Sequence, residues 1–178
     1  MHEPSQDRKI AALSEFALCN DFLIWRKIMK DNFIEEAYNL AKKSLSIDEV
    51  PVGAVIVQNG KIVARAYNKK ETANNPLGHA EIIAINKACK KLKKWRLNDC
   101  DIYVTLEPCS MCLSALIQAR INCIYYGAID QRFGAIEGAF RLLDVGKFNH
   151  YPKTVYLKEN DCSKILSEYF KNKREKNK

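Results

Sequence analysis

Val52-Gly-Ala-Val-Ile-Val57, Asn59-Gly60 and Lys61-Ile-Val-Ala-Arg-Ala-Tyr67 follow one another with one residue, Gln58, between the first run and the turn. The first run is a short, continuous apolar stretch, the pattern of a strand buried on both faces. Asn-Gly is the strongest two-residue signal for a tight hairpin, so Lys61 to Tyr67 is predicted to return beside it. Upstream, apolar residues at 33/34, 37, 40/41 and 45 form a helical stripe over Asp31 to Leu45. Asp31 is placed to cap that helix, and Glu35 and Glu36 occupy its first turn. Downstream, Asn68 to Gly78 reads as a loop with Asn74-Asn75-Pro76 as its turn. A helix is expected from His79 to about Leu92 and a strand from Asp101 to Leu106. A second helix has Pro108 at its first position, and a further strand runs from Asn122 to Gly127. The glycine-spaced stretch Gly134 to Gly146 is expected to be partly helical. A strand at Thr154 to Leu157 and a last helix from Asp161 to about Lys173 complete the order. Strands and helices that alternate after an opening hairpin predict an α/β protein with helices on both faces of one mixed sheet of about five strands.

The 178 residues are 47% apolar and 28% charged, which excludes a collagen-like or disordered chain. No apolar run approaches the roughly 18 residues that span a bilayer, and no secretory signal is evident, so the expected setting is cytoplasmic, with no membrane partner. Seven cysteines at uneven spacings in such a chain favour metal binding, catalysis or burial over a disulfide framework. The net charge of +8 is concentrated: Lys87 to Arg96 holds six basic residues and no acid, and Lys171 to Lys178 five with one Glu. Such patches suit a polyanion, although lysines on solvated helix faces would give the same composition.

Two motifs carry the chemistry: His79-Ala-Glu81 and Pro108-Cys-Ser-Met-Cys112. Cys109 and Cys112, three apart at a helix start, direct both sulfurs to one side, and a helix N-terminus favours thiolate. His79, at another helix start, can reach the same point. One nitrogen and two sulfurs make three ligands, the count of a catalytic zinc that keeps a position for water. A redox pair would leave His79 and Glu81 without a role. His2 and His150 lie outside ligand spacing, and Cys89, Cys100 and Cys123 are expected to be buried, with Cys123 kept as the alternative further ligand. His-x-Glu followed by Pro-Cys-x-x-Cys is the pattern of zinc nucleobase deaminases, in which the glutamate is the general acid and base and not a ligand.

Glu49-Val-Pro-Val-Gly-Ala-Val55, Tyr67-Asn68, His79-Ala-Glu81, Tyr103-Val-Thr-Leu-Glu-Pro-Cys-Ser-Met-Cys112 and Gly127-Ala-Ile-Asp130 strongly resemble the bacterial tRNA-specific adenosine deaminase family. Asn149-His150 and Tyr169-Phe170 with basic neighbours fit it as well, and the resemblance runs from about Phe33 to Arg174. Gly78 and Ile129 depart from the family, which carries Ala or a similar small residue at the first and often a basic residue at the second.

The resemblance implies a three-layer α/β/α cytidine-deaminase-like fold, a homodimer, one zinc ion per subunit, and conversion of adenosine to inosine at the wobble position of a tRNA anticodon. It assigns zinc to His79, Cys109 and Cys112, and proton transfer to Glu81. Asn68 would hydrogen-bond the base or its ribose and Asp130 the ribose, unless both serve only their turns. Phe170, Lys171, Lys173 and Arg174 would hold the anticodon stem–loop, unless Phe170 merely ends the core of an amphipathic helix. Residues 1–28 fall outside the resemblance and are expected to be an extension to a deaminase domain of residues 29–178, with Met29 as the start of the regular pattern. Two other functions carry the same zinc motif: deamination of a free base such as cytosine or guanine, and a zinc-stabilised RNA-binding subunit without catalysis. The second would have no use for Glu81.

Overall fold

The computed structural model describes residues 32–158 and 160–176. The expectations for residues 1–28 and for Asp31 as a helix cap lie outside them. The first helix, α1, covers residues 32–45. It is followed by β1 (Gly53–Gln58), β2 (Lys61–Tyr67), α2 (Ala80–Leu92), β3 (Cys100–Val104), α3 (Ser110–Gln118), β4 (Cys123–Tyr126), α4 (Leu142–Val145), β5 (Lys153–Tyr156) and α5 (Cys162–Lys176).

The hairpin forms as its sequence requires. Gln58 pairs with Lys61, and Asn59 and Gly60 both take positive φ, 50° and 72°, the geometry of the tight turn that matches strand twist. The sheet order is β2-β1-β3-β4-β5. β1 is antiparallel to β2 and β3, whereas β3–β4 and β4–β5 are parallel. The parallel half follows from its connections, because a helix between two strands returns the chain to the end at which it started.

Side chains alternate across this sheet and so divide the core in two. Ala54, Ile56, Ile102, Val104 and Ile124 share one cluster with Ala80, Ala84 and Ala88 of α2 and Leu113, Leu116 and Ile117 of α3. On the opposite face, Phe33 of α1 packs on Tyr103, which stacks on Tyr125 at 4.4 Å. Cys162 of α5 lies against Gly127 there. The result is the expected three-layer α/β/α arrangement around a mixed five-stranded sheet.

Small residues let the layers approach. A Cβ on Gly53 would stand 2.0 Å from the Ala37 carbonyl oxygen and 2.7 Å from the Ala41 nitrogen, both backbone atoms of α1 that cannot swing aside. Gly53→Ala is therefore expected to cost about 3 kcal/mol of stability, the upper range for overpacking. A urea-unfolding midpoint unchanged from the parent would refute that contact.

One expectation shifts. Pro108 does not open α3; Cys109 is its N-cap and Ser110 its first residue. The Ala135 N–H bonds the Pro108 carbonyl and Cys109 bridges Gly134, so this stretch is drawn into an extended pairing before the helix begins. The Gly134–Gly146 stretch is partly helical as expected, in the four-residue α4. As expected, Cys100 and Cys123 are buried and no disulfide is present among the described cysteines; Cys89 is half-buried.

Candidate metal centre

The N-termini of α2 and α3 bring His79, Cys109 and Cys112 together. His79 is the N-cap of α2 and Cys109 the N-cap of α3, both in extended conformation, so their side chains project past the helix ends. One nitrogen and two sulfur atoms lie within 4.8 Å of one another. His79 Nδ1 is 3.8 Å from Cys109 Sγ and 3.4 Å from Cys112 Sγ. A tetrahedral ion with ordinary Zn–N and Zn–S bonds requires nitrogen–sulfur separations of about 3.6 Å. The donor set therefore fits zinc in both chemistry and spacing.

The sulfurs are polarised against each other. The hydrogen bond from Cys112, reinforced by His79, pulls the Cys109 thiol down to about 4. The same bond, together with burial, pushes Cys112 up. The bond to Cys109 also raises the His79 pKa.

Glu81, the second residue of α2, is buried at 4% exposure. Burial raises its pKa, and its carboxyl lies against the Cys112 thiol. Its carboxyl stands beside the three clustered donors without being one of them.

Asn68 and His79 stand at the two ends of one loop, closed where the Lys69 N–H donates to the Gly78 carbonyl. Asn68 is buried and its Nδ2 donates to Glu49 Oε2 at 2.9 Å. Asp130 sits on a loop that lies alongside the strand leading into Cys109. Its Oδ1 accepts from the Arg132 and Phe133 N–H groups, so the turn reading of this residue has direct support.

Phe170 is 42% exposed and packs edge-on against Tyr169. Lys171 and Arg174 are exposed, whereas Lys173 Nζ pairs with Asp48 Oδ2 at 2.6 Å. That pair and the Tyr169 hydroxyl on the Asp48 carbonyl tie the basic end of α5 to the loop that bears Glu49. His150 is committed elsewhere, to the Ile121 carbonyl.

Two buried carboxylates were not singled out by the sequence reading. Glu49 is fully buried and takes hydrogen bonds from Asn68 and from the N–H and hydroxyl of Thr72. Glu107, at 2% exposure, takes the N–H groups of Ile136, Glu137 and Gly138 on Oε1 and that of Asp130 on Oε2. The available signal was an acid inside an otherwise apolar run, Glu49-Val-Pro-Val and Val-Thr-Leu-Glu107, where only backbone or amide donors could compensate its burial.

A deaminase family model, MafB19-like deaminase, matches residues 28–174. The tRNA-specific adenosine deaminase of Aquifex aeolicus is 41% identical over 142 residues, covering 80% of this chain and 94% of that protein. That of Bacillus subtilis is 42% identical over 147 residues, covering 82% and 91%. The chain belongs to the tRNA-specific adenosine deaminase family. Solved structures agree with this membership. A tRNA:A34 deaminase studied for A-to-I editing at the wobble position of transfer RNA superposes with a TM-score of 0.69 at 41% identity, covering 71% of this chain and 98% of that one. A guanine deaminase from Bacillus subtilis follows at 0.56 and 30%, covering 79% and 93%. The likeness to the tRNA-editing deaminase is thus the stronger in both fold and sequence.

Proposed function

We propose that this member of the family is a zinc-dependent hydrolase that converts adenosine to inosine at the wobble position of a tRNA anticodon, releasing ammonia. The observation that carries the reading is the three-ligand cluster of His79 Nδ1 and the two sulfurs with buried Glu81 beside it, in a chain that covers 94% of an adenosine deaminase at 41% identity. His79, Cys109 and Cys112 hold one zinc ion per subunit. Zinc, when bound, supplies a Lewis acid that makes water a nucleophile near neutral pH.

Glu81 does the proton work. It takes one proton from the attacking water and delivers it to ring N1 of adenine, then carries the second proton of that water from the new C6 hydroxyl to the amine, so that the C6–N bond breaks, ammonia leaves and the C6 carbonyl forms. A base stacked in a helix cannot be approached in this way, so the substrate is a splayed loop nucleotide. Asn68 and Asp130 line its approach. Phe170, Lys171 and Arg174 offer a ring and two cations to the anticodon stem–loop, while Lys173 holds α5 in place through Asp48. Homodimer formation and a cytoplasmic setting are parts of the same proposal. Among the described residues no helix is long and apolar enough to cross a membrane.

The deciding experiment incubates the zinc-loaded protein with tRNA bearing A at the wobble position and, separately, with adenosine, cytosine and guanine. Inosine in the tRNA alone is the expected result; turnover of a free base without tRNA editing would favour the free-base reading. Cys112→Ser tests the metal site. It should lose most of its zinc by elemental analysis and unfold at a lower temperature, since metal affinity and folding are coupled. Full zinc occupancy in that variant would remove Cys112 from the ligand set.

A further inference from the structure

Among the described residues Glu49 is the most deeply buried carboxylate outside the candidate metal centre, and the hydrogen-bond donors it meets there are neutral. Its Oε1 accepts from the Thr72 N–H at 2.7 Å and the Thr72 hydroxyl at 2.9 Å, and its Oε2 from Asn68 Nδ2 at 2.9 Å. Glu49 accepts all three of these bonds, so the NH₂ of Asn68 is the end of its amide turned toward Glu49. Among the described residues no hydrogen bond engages the Asn68 Oδ1, and none of their buried side-chain oxygen or nitrogen atoms lacks a partner. The backbone of Asn68 is held as well: its carbonyl accepts from the Ser44 hydroxyl at 3.0 Å, and its N–H donates to Val52.

We infer that Glu49 is a positioning residue that locks the polarity of the Asn68 amide: one N–H is held on Glu49, and the carbonyl oxygen, together with the second N–H, is left for the substrate. The inference rests on the proposed deaminase reading and adds to it the direction of one hydrogen bond. Thr72 lies inside the loop that ends at Gly78-His79, so the same carboxylate also fixes the path of the chain between Asn68 and the first metal ligand.

An exchange of polarity tests this. In Glu49→Gln the new side chain must keep its oxygen on the two Thr72 donors, and its NH₂ then faces Asn68. The Asn68 amide rotates to accept, and a donor replaces the outward acceptor. Adding Asn68→Asp restores the acceptor, because the new carboxylate takes the amide N–H on one oxygen and leaves the other outward. Each of the original hydrogen bonds has a counterpart in the double variant, and one carboxylate remains.

For the zinc-loaded protein acting on the anticodon stem–loop, Glu49→Gln should lower kcat/KM about 10- to 100-fold, the effect of one mismatched buried hydrogen bond. The double variant should recover most of that loss. Affinity for the same RNA, measured with Glu81→Gln added to each protein to prevent turnover, should fall and recover in parallel. A purely structural role for Glu49 predicts no rescue. Parental kcat/KM in Glu49→Gln, or a double variant that is unfolded or no better than the single, overturns the inference. Should Glu49→Gln itself not fold, the double variant still decides, and it must be folded and active. If the parent protein neither edits nor binds the RNA, it is the proposed function that fails, and that is seen before any variant is made.

Discussion

Glu81→Gln is expected to retain its zinc and its RNA affinity while losing deamination by about 10²- to 10⁴-fold, the usual contribution of a positioned general acid and base. The substitution keeps the shape and burial of the side chain and removes only its ability to carry a proton. Its place as the second residue of α2 matters here. Two positions after the His79 cap and against Cys112, it lies beside the three clustered donors without being one of them. The measurement is single-turnover inosine formation alongside zinc content. Turnover within about tenfold of the parent, at full zinc occupancy, would mean another group moves the proton.

The largest effect on stability is expected at Glu107→Ala. Four backbone N–H groups, those of Asp130, Ile136, Glu137 and Gly138, end on one buried carboxylate. Gly134 and Gly138 wrap so closely that an added Cβ would stand 2.4 Å and 2.6 Å from a Glu107 carboxylate oxygen. Truncation leaves those donors without a partner, at a cost of about 3–5 kcal/mol, a large part of the 5–15 kcal/mol that holds a domain together. Glu107→Gln should cost less, because its oxygen can keep three of the four donors. Amide hydrogen exchange should show protection lost first between 130 and 138, and urea unfolding should show the two variants in that order. Equal stability of Glu107→Ala and the parent would mean that water replaces the carboxylate and that the loop is not organised by it.

Both carboxylates explain how a site made of loops keeps its geometry. Glu49 organises the loop from Asn68 to His79, and Glu107 the loop from Asp130 to Gly138, whose Gly134 bridges Cys109. Neither depends on a neighbouring cation for compensation among the hydrogen bonds described. Backbone and amide donors serve instead, and these fix direction as well as energy.

The amino-acid sequence by itself determined the elements and singled out the residues of the candidate site. Period-two and period-3.6 patterns are local, and Asn59-Gly60 dictates its turn through two positive φ angles whatever surrounds it. His79, Glu81, Cys109 and Cys112 were legible because each pair is a short-spaced motif at a helix N-terminus; the meeting of the two pairs, 30 positions apart, is made by the packing of α2 and α3. Tertiary structure decided what depends on residues far apart in sequence. Pro108 was expected to start a helix and was instead drawn into pairing with the 134–135 stretch. Lys173, expected on phosphate, pairs with Asp48, 125 positions away. Asp130 spends one oxygen on its own turn. Glu49 and Glu107 were invisible as organisers because the value of a buried carboxylate lies in which donors surround it. Those donors, at Asn68 and Thr72 in one case and at 130 and 136–138 in the other, converge only once the sheet has formed.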